Sequence, residues 1–310
     1  MEDSQKVNKF VSNEIKISVV VLSWNTKELL LKCLKSIPFS VEIMVVDNGS
    51  TDGTLSALES LKWPNLKIIK NESNQGFAKG NNQGIKAALG DLIMILNSDT
   101  IVQKGALEKL RDFYLQQKEK DLALSPLLVN PDGSPQENYY MRLPNLWQIF
   151  GYHHPLLRPL VMKTPLRWKI LSRIKSQSFE VKQLPGAALM APKKVWQKVG
   201  LLDEDYQFLY EDVDWSFRAQ KKGCRLMIVP GAKITHLGGA SWGKKIKKES
   251  FDFYCQFFSS LLLFVQKNYG KWKVKRFKNA LVLNFILQGK FKLAQYFLTM
   301  REIKQEKLWP

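Results

Sequence analysis

The chain has 310 residues, of which 45% are hydrophobic, enough for one large domain with an appendage. Its three cysteines, Cys33, Cys224 and Cys255, have no CxxC spacing, which argues against a disulfide framework or a zinc site and fits a reducing cytoplasm. The polar, acidic start and the lack of an apolar run of about 20 residues argue against a secretory signal and a transmembrane helix, so we expect a soluble or peripheral protein.

The net charge of +19 is concentrated in two segments. Residues 141–182 carry 8 Lys and Arg against 1 Asp or Glu, and residues 244–310 carry 15 against 4. Residues 1–140, with 16 against 17, and residues 183–243, with 8 against 6, are close to neutral. This uneven distribution indicates an anionic surface as a partner, either nucleic acid or membrane headgroups.

The first 100 residues alternate strand and helix patterns, which predicts βαβ units and an α/β fold with a mostly parallel sheet. Strands are predicted at 15–24, 41–47, 66–71 and 92–97, and helices at 26–37, 50–61 and 80–90. Later segments predict a strand at 185–192, a helix at 209–223 that begins with acidic residues, and a returning strand at 224–230.

Three regions follow from these patterns. Residues 1–14 are predicted to be a flexible N-terminus, and residues 15–243 the α/β domain. Within that domain, residues 141–182 form a basic insertion that is flexible or partly helical. Residues 244–310 are predicted to form two amphipathic helices with basic faces, which suit an anionic membrane surface, the α/β domain or a second subunit as packing partner.

Polar side chains follow each of the first four predicted strands, at the end of the sheet where ligands of α/β proteins bind. They are Ser23-Trp24-Asn25, Asp47-Asn48-Gly49, the segment from Asn71 to Gly76, and Asn97-Ser98-Asp99. Asp47 could accept a hydrogen bond from a nucleobase imide or a ribose hydroxyl. Because no GxGxxG or GxxxxGK[ST] loop is present, a bound nucleotide would need a metal ion for much of the phosphate binding.

Asp99 and His236 are the candidate metal ligands. Carboxylate oxygens suit Mg²⁺ or Mn²⁺, which typically bind one or two protein carboxylates plus substrate phosphates. The run Glu211-Asp212-Val213-Asp214 places three carboxylates in four residues, which repel one another unless a positive charge is nearby. A helix of about ten residues advances roughly 15 Å, and the strand after it can run back about 20 Å, which brings His236 towards the acidic helix start.

Six segments together resemble glycosyltransferase family 2, in its rhamnosyltransferase-like branch. They span residues 15–240 in the family's order: VVVLSWNTKELLLKCLKSI, VVDNGSTDGT, NQGFAKGNNQG, LIMILNSDT, PGAALMAPKKVWQKVGLLDEDYQFLYEDVDWSFRAQKKG and PGAKITHLGG. The resemblance implies a GT-A fold and an inverting transfer that depends on Mn²⁺ or Mg²⁺. The sugar would pass from a nucleoside diphosphate, with dTDP-rhamnose as a candidate donor, to a saccharide or lipid-linked acceptor in cell-surface polysaccharide synthesis.

The resemblance also assigns roles residue by residue. Asp212 matches the second residue of the ED motif, the general base, and Glu211 the first. The NSD segment takes the place of the DxD motif, with Asn97 where the first acid stands, so Asp99 would be the sole carboxylate ligand and His236 would complete the metal site. The positions matched to nucleotide-sugar binding are Ser23, Trp24, Asn25, Asp47, Gly76, Phe77, Asn81, Asn97, Asp99, Gly186 and Ala187.

Two other functions would explain part of the sequence. A nucleotidyltransferase would share the alternating pattern, but SWNTKE lacks the glycine and arginine expected after its first strand. A nucleic-acid-binding protein is suggested by KWKVKRFKN (271–279), where aromatic and basic residues interleave, but it leaves the acidic residues unexplained. The expected partners are therefore the donor, the acceptor and an anionic membrane surface rather than nucleic acid. The expected location is the cytoplasm, including the inner face of the cell membrane.

Overall fold

The computed structural model describes residues 15–136, 143–154, 156, 177–207, 209–238 and 250–303. The predicted flexible N-terminus and most of the predicted basic insertion lie outside the described residues. The strands are β1 (Ile17–Ser23), β2 (Glu42–Asp47), β3 (Leu66–Lys70), β4 (Leu92–Asn97), β5 (Thr100–Val102), β6 (Leu122–Val129), β7 (Phe179–Glu180), β8 (Ala188–Pro192) and β9 (Arg225–His236). The helices are α1 (Lys27–Ser36), α2 (Thr54–Ser60), α3 (Phe77–Ala87), α4 (Ala106–Gln116), α5 (Leu146–His153), α6 (Lys193–Val199), α7 (Glu211–Lys221), α8 (Phe251–Tyr269), α9 (Lys271–Leu287) and α10 (Phe291–Thr299).

These strands form one sheet in the order β3-β2-β1-β4-β8-β6-β9-β5, with β7 paired to β9. Strands β1 to β4 are mutually parallel, as predicted. The other half is mixed, because β8 runs antiparallel to β4 and β6, while β6 and β9 are parallel. Almost every residue of β1, β4, β6 and β8 is buried, as expected for central strands covered by helices on both faces.

Helix α3 lies directly on β1 because two of its residues have no side chain. A Cβ at Gly80 would come within 2.4 Å of the Leu22 side chain, and one at Gly84 within 2.2 Å of the Val20 side chain. This close approach is possible only for glycine. It places the start of α3, Gly76 and Phe77, beside the carboxyl end of β1.

Strand β9 is longer than predicted and delivers His236 to the site. Its pairing with β6 shifts register after Pro126, so that residues 230–232 of β9 form a bulge instead of ending the strand. Beyond the bulge, β9 also pairs with β5, where His236 lies opposite Thr100. The second metal-ligand candidate is thereby held next to the segment that carries the first, Asp99.

The C-terminal segment forms three helices instead of the two predicted, since Gly270 and Gly289, both with positive φ, separate α8, α9 and α10. The apolar residues of α8 pack in one cluster with α9, α10 and α5, and with the outer face of α7. Phe217 of α7, for example, meets the ring of Phe264 at a centroid distance of 5.6 Å. Packing against the α/β domain was one of the alternatives that the sequence pattern left open. In the part of the chain that the structure describes, every helix is too short or too polar to cross a bilayer.

Candidate functional site

The carboxyl ends of β1 and β2 are tied together by their following loops. Ser23 and Asp47 are paired in register at the ends of the two strands. Asn25 has a left-handed backbone, with φ of 53°; its N–H donates to the Ser50 hydroxyl (2.9 Å) and its Oδ1 accepts from the Thr51 N–H (2.8 Å). The loop of Ser23 to Asn25, which is predicted to bind the nucleotide sugar, is thus held against the Asp47 turn. Trp24 is partly exposed in this loop.

Asp47 presents a buried carboxylate oxygen towards this rim. The residue is only 2% exposed, and its Oδ2 accepts from the Ser50 N–H at 3.1 Å. Its Oδ1 is buried and has no hydrogen-bond partner among the described residues. Leaving a buried acceptor unpaired is costly, so a ligand donor is the natural partner for this oxygen.

Asn48, one of the polar residues that follow β2, organises the neighbouring loop. Its Oδ1 accepts from Asn71 Nδ2 (2.9 Å) and from the Gln75 N–H (3.1 Å). Its Nδ2 donates to Asn74 Oδ1 (2.8 Å) and to the Gly76 carbonyl (3.2 Å). One buried amide therefore fixes the loop that ends at the start of α3. An Asn before Gly is typical of any tight turn, so its spacing carries no signal of this role.

The start of α3 meets the acidic start of α7 at Gly186. A Cβ on Gly186 would lie 3.5 Å from the ring of Phe77 and 3.3 Å from Asp212 Cβ, while the Gly186 N–H donates to Asp212 Oδ2 at 2.8 Å. Phe77, Gly186 and Asp212 are thus in one place, as predicted. Asn81 differs from them, because it is 1% exposed and its Nδ2 donates to the Phe77 carbonyl within the helix.

The backbone before α7 is held in an unfavourable conformation. Leu209 and Tyr210 both have positive φ, 58° and 75°, which side-chain-bearing residues rarely adopt. The ring of Tyr210 packs against Phe257 and Phe264 of α8, at centroid distances of 5.4 and 6.2 Å. Such strain persists only where surrounding structure enforces it and is commonly found at functional sites. Here the C-terminal helices supply that support.

Burial raises the pKa values of Glu211 and Asp212, the two acids that match the ED motif. Desolvation, with the charge of Asp212 next to it, raises the pKa of Glu211 to about 8. Desolvation also raises the pKa of Asp212, although N–H groups of Gly186 and Val213 donate to its carboxylate and act in the opposite direction. Carboxylates with raised pKa values are more basic when ionised, which suits a group that must remove a proton.

Asp214, the third acid of the run, has a different environment. It is 2% exposed and accepts from Arg218 Nε at 2.6 Å on one oxygen. Its other oxygen accepts from Asn268 Nδ2 of α8 at 2.7 Å and from the Tyr206 hydroxyl at 3.4 Å. The positive charge that the sequence required beside these acids is therefore Arg218, one turn along the same helix. Asp214 connects α7 to the C-terminal helices rather than to the cleft.

The Glu211→Gln variant is expected to gain thermal stability with rising pH relative to the natural protein. The folded state holds the Glu211 proton more tightly than the unfolded chain does. The contribution of this proton to folding stability is therefore complete below pH 4.5, the ordinary pKa of a glutamate, and is lost as pH rises through the folded-state pKa of about 8. We expect the variant's advantage in Tm to grow between pH 6 and pH 9 by at least about 2–4 °C. Calorimetry at the two pH values checks this, with exposed Glu59→Gln as the control.

The second half of the site joins Asn97, Asp99 and His236. The Asn97 N–H donates to the Ala187 carbonyl at 3.0 Å, which ties this half to Gly186 and Asp212. Asn97 Nδ2 and Asp99 Oδ1 each lie 3.4 Å from His236 Nε2. Asp99 and His236 are 6% and 3% exposed. The predicted ligands thus meet at the rim that also holds the predicted base.

Gln136 determines which nitrogen of His236 faces Asp99. Its Oε1 lies 3.0 Å from His236 Nδ1, and its Nε2 donates to the His236 carbonyl at 2.5 Å. A carbonyl oxygen can only accept, so Nδ1 carries a proton, and in the neutral imidazole Nε2 then has the lone pair. Nε2 of the neutral ring and the Asp99 carboxylate are the groups that would hold a cation here.

These two groups fit an oxygen-preferring divalent ion whose remaining ligands come from substrate phosphates and water. Among the described residues, no group of three or more His, Cys, Asp and Glu side chains is arranged to hold a metal. A protein site with this few ligands depends on the substrate to complete the coordination. Gln136 was not identified from the sequence, because it is 100 residues away from its partner.

The Gln136→Leu variant is expected to bind Mn²⁺ about 10- to 100-fold more weakly, the usual effect of losing the partner that orients a ligating histidine. Electron paramagnetic resonance of free Mn²⁺, in the presence of a nucleoside diphosphate, measures this directly. Gln103→Leu, an exposed glutamine next to the same strand, is the control. Equal Mn²⁺ affinity in all three proteins would contradict the orienting role.

The chain is similar in sequence to known glycosyltransferases. Residues 18–168 match the family model described as glycosyl transferase family 2. A relative from Mycobacterium tuberculosis, named N-acetylglucosaminyl-diphospho-decaprenol L-rhamnosyltransferase, is 28% identical, and the match covers 74% of this chain and 78% of the relative. The family match includes the carboxyl ends of β1, β2 and β4, which form part of the rim.

Solved structures resemble the chain in fold. The Staphylococcus aureus TarS 1–349 structure matches with a TM-score of 0.56 and 16% identity, covering 91% of this chain and 90% of its own. The mannosyltransferase PcManGT from Pyrobaculum calidifontis, solved with GDP-Man and Mn²⁺, matches with a TM-score of 0.54 and 16% identity, covering 93% and 75%. The predicted α/β fold of the GT-A type, with helices at its C-terminus, is confirmed.

Proposed function

We propose that this chain, whose residues 18–168 match glycosyl transferase family 2, is a glycosyltransferase that performs an inverting, metal-dependent transfer from a nucleoside-diphosphate sugar to a saccharide or lipid-linked acceptor. One observation carries this proposal: hydrogen bonds through Gly186 and Ala187 connect the acidic start of α7 to the Asn97–Asp99–His236 group. The named activity of the mycobacterial relative supports dTDP-rhamnose as a candidate donor and a lipid diphosphate sugar as a candidate acceptor, in cell-surface polysaccharide synthesis.

Asp212 is the proposed general base. Its carboxylate takes the proton of an acceptor hydroxyl as that oxygen forms a bond to the anomeric carbon. The bond from that carbon to the nucleoside diphosphate breaks on the opposite face, which inverts the configuration. Gly186 leaves room for substrate beside Asp212, since any side chain there would contact the carboxylate.

Asp99 and His236 are proposed to hold Mn²⁺ or Mg²⁺. When bound, such an ion neutralises the charge that develops on the departing diphosphate. The lone pair of His236 Nε2 and the oxygen of Asp99 supply the protein's share of the ligands, and Gln136 keeps the imidazole in the required tautomer. The solved structure of PcManGT with GDP-Man and Mn²⁺ supports a divalent ion in this fold.

Asp47 is proposed to bind the nucleoside, and an Asp47→Asn variant tests this. Its unpartnered Oδ1 is the acceptor for a nucleobase imide or a ribose hydroxyl. Loss of a hydrogen bond to a charged group costs about 1.5–3 kcal/mol, so nucleoside diphosphate affinity should fall about 10- to 100-fold. Titration calorimetry with UDP, dTDP and GDP measures the loss, and Asp112→Asn, an exposed acid on α4, serves as the control.

The decisive experiment is a panel of sugar nucleotides incubated with the full-length chain. Release of nucleoside diphosphate is scored with Mn²⁺, with Mg²⁺ and with a chelator. We expect one donor to be turned over only with a divalent ion, faster when a saccharide or lipid-linked acceptor is present. Turnover at the same rate in chelator would remove the metal from the proposal, and pyrophosphate release from a nucleoside triphosphate would favour a nucleotidyltransferase instead.

For location we propose the cytoplasm, with peripheral attachment to the inner face of the cell membrane. Support comes from the excess of basic residues in 244–310 and from the lipid-linked acceptor named for the mycobacterial relative. A membrane surface would bring the enzyme and such an acceptor together.

A further inference from the structure

Helix α9 has apolar residues on two opposite faces. The inner face, with Phe277, Leu281 and Phe285, is buried in the C-terminal cluster, where Phe285 meets Phe258 of α8 at a centroid distance of 5.4 Å. The outer face is exposed along its whole length in the described structure. A helix that only packs on its own domain needs a single apolar face, so the second one requires a separate explanation.

The outer face is a stripe of exposed residues with large apolar side chains at both ends of α9: Trp272 (61%) at its start, and Leu283 (50%), Ile286 (46%) and Leu287 (61%) near its end. Phe291 (66%) is also exposed, at the start of α10. Lys275 and Arg276 lie on the same side, one turn after Trp272. Clusters of exposed large apolar residues on one surface mark sites of association, whereas scattered single ones do not.

The charge around this stripe selects the partner. Residues 253–301 contain nine Lys and Arg and no Asp or Glu. A second copy of the chain docked through the same face would place these cations opposite one another, which is unfavourable. Apolar side chains bordered by basic residues, with a tryptophan at one end, are typical of helices that lie in the headgroup region of anionic membranes.

A cleft beside Trp272 offers a place for a headgroup. It has a volume of about 400 Å³ and lies between the start of α5 and the start of α9. Lys273 and Arg276 line it, and Lys273 Nζ lies 5.0 Å from the centre of the Tyr269 ring and 5.2 Å from that of Trp272. Trp147 of α5, also on the cleft, is 86% exposed. Two cations held by aromatic rings suit a phosphate group at the edge of an apolar surface.

We propose that the outer face of α9, together with this cleft, is the surface by which the protein docks on anionic phospholipid. Trp272, Leu283, Leu287 and Phe291 enter the headgroup region, and Lys273, Lys275 and Arg276 bind lipid phosphates. The inference rests on the proposed function only in that a lipid-linked acceptor makes docking useful. Helix α8 packs against both α9 and α7. The docking surface and the proposed base therefore belong to one packed unit.

Vesicle flotation of the full-length chain tests the proposal. The probes are vesicles of phosphatidylcholine alone and of phosphatidylcholine mixed with phosphatidylglycerol. We expect binding to the mixed vesicles, and a loss of affinity of about tenfold or more in Lys275→Ala/Arg276→Ala and in Leu287→Gln/Phe291→Gln. The controls are Lys86→Ala/Lys104→Ala, which removes the same charge elsewhere, and Leu89→Gln, which changes an apolar residue that is 69% exposed.

Folding of each variant is checked by its Tm and by nucleoside diphosphate release from the donor in solution, which should match the natural protein. Brominated lipid should quench tryptophan fluorescence less in Trp272→Phe. The proposal is overturned by equal flotation of all variants, by equal binding to neutral vesicles, or by a dimer in solution that the α9 variants dissociate. If flotation behaves as expected but no sugar nucleotide is turned over, the proposed function fails and the docking surface stands.

Discussion

Replacing Asp212 with Asn is expected to slow sugar transfer about 10²- to 10⁴-fold, the usual contribution of a positioned general base. Asparagine retains the shape, and its one side-chain oxygen can still accept the N–H of Gly186, while its NH2 group replaces the oxygen that accepts from Val213. A Tm close to that of the natural protein checks that the start of α7 keeps its structure. Donor affinity, measured by calorimetry with the nucleoside diphosphate, should be unchanged. The loss should therefore appear in single-turnover rate and not in binding.

The pH dependence separates Asp212 from its neighbour Glu211. The two carboxylates interact, so they titrate as a pair with raised pKa values, and the rate should rise with pH as the pair loses its protons. Asp212→Asn should abolish that rise, while Glu211→Gln should shift it to lower pH, because a nearby negative charge has been removed. An Asp212→Asn enzyme that transfers at the natural rate, alongside an inactive Glu211→Gln, would assign the base to Glu211.

The parallel half of the sheet could be predicted because each strand is a short apolar run that ends in polar residues. Leu92–Asn97 shows this well, since five buried residues lead directly into the rim. In the other half only β8 and the first part of β9 show such a run, and β6 was not predicted. Strand β5 has three residues and β7 has two, and Pro230-Gly231 in β9 would normally end a strand. Only the bulge opposite Pro126 lets β9 continue to His236.

The residues of the candidate site can likewise be divided into those that the sequence identifies and those that it does not. Asp47, Asp99 and Asp212 could be identified because a carboxylate at a strand end or a helix start has few structural reasons to be there. Asn48 and Gln136 could not, because an amide becomes informative only when its partners are known. In the C-terminal segment the apolar period continues on both sides of Gly289, so the sequence predicted two helices where the structure has α8, α9 and α10.

The C-terminal helices also contribute to the site itself. Asn268 of α8 donates to Asp214, two residues from the proposed base, and α8 packs on the strained Tyr210. The position of Asp212 therefore depends on helices that lie outside the α/β domain. Removing residues 244–310 would expose the buried face of α7, which is why experiments on membrane attachment need point variants in the complete chain.

An Asp99→Asn variant is expected to lose most of its affinity for Mn²⁺ and to release nucleoside diphosphate about 10²- to 10³-fold more slowly. Asp99 Oδ1 lies 3.4 Å from His236 Nε2, and Asp99 is the one carboxylate of the NSD segment, so the variant leaves the proposed ion without a charged ligand from that segment. An ion that offsets phosphate charge is worth several kcal/mol in the transition state, which corresponds to this change in rate.

Three measurements make the Asp99 result specific. Mn²⁺ binding by electron paramagnetic resonance should fall with the rate, whereas binding of the free nucleoside, which has no phosphates, should not change. Asp112→Asn should resemble the natural protein in both. Should Asp99→Asn bind Mn²⁺ normally, or should the natural enzyme work equally well in chelator, the pairing of Asp99 with His236 would be a structural contact within the sheet. In that case Gln136 would orient the imidazole for the packing of β5 against β9, and the diphosphate charge would have to be offset by other groups of the rim.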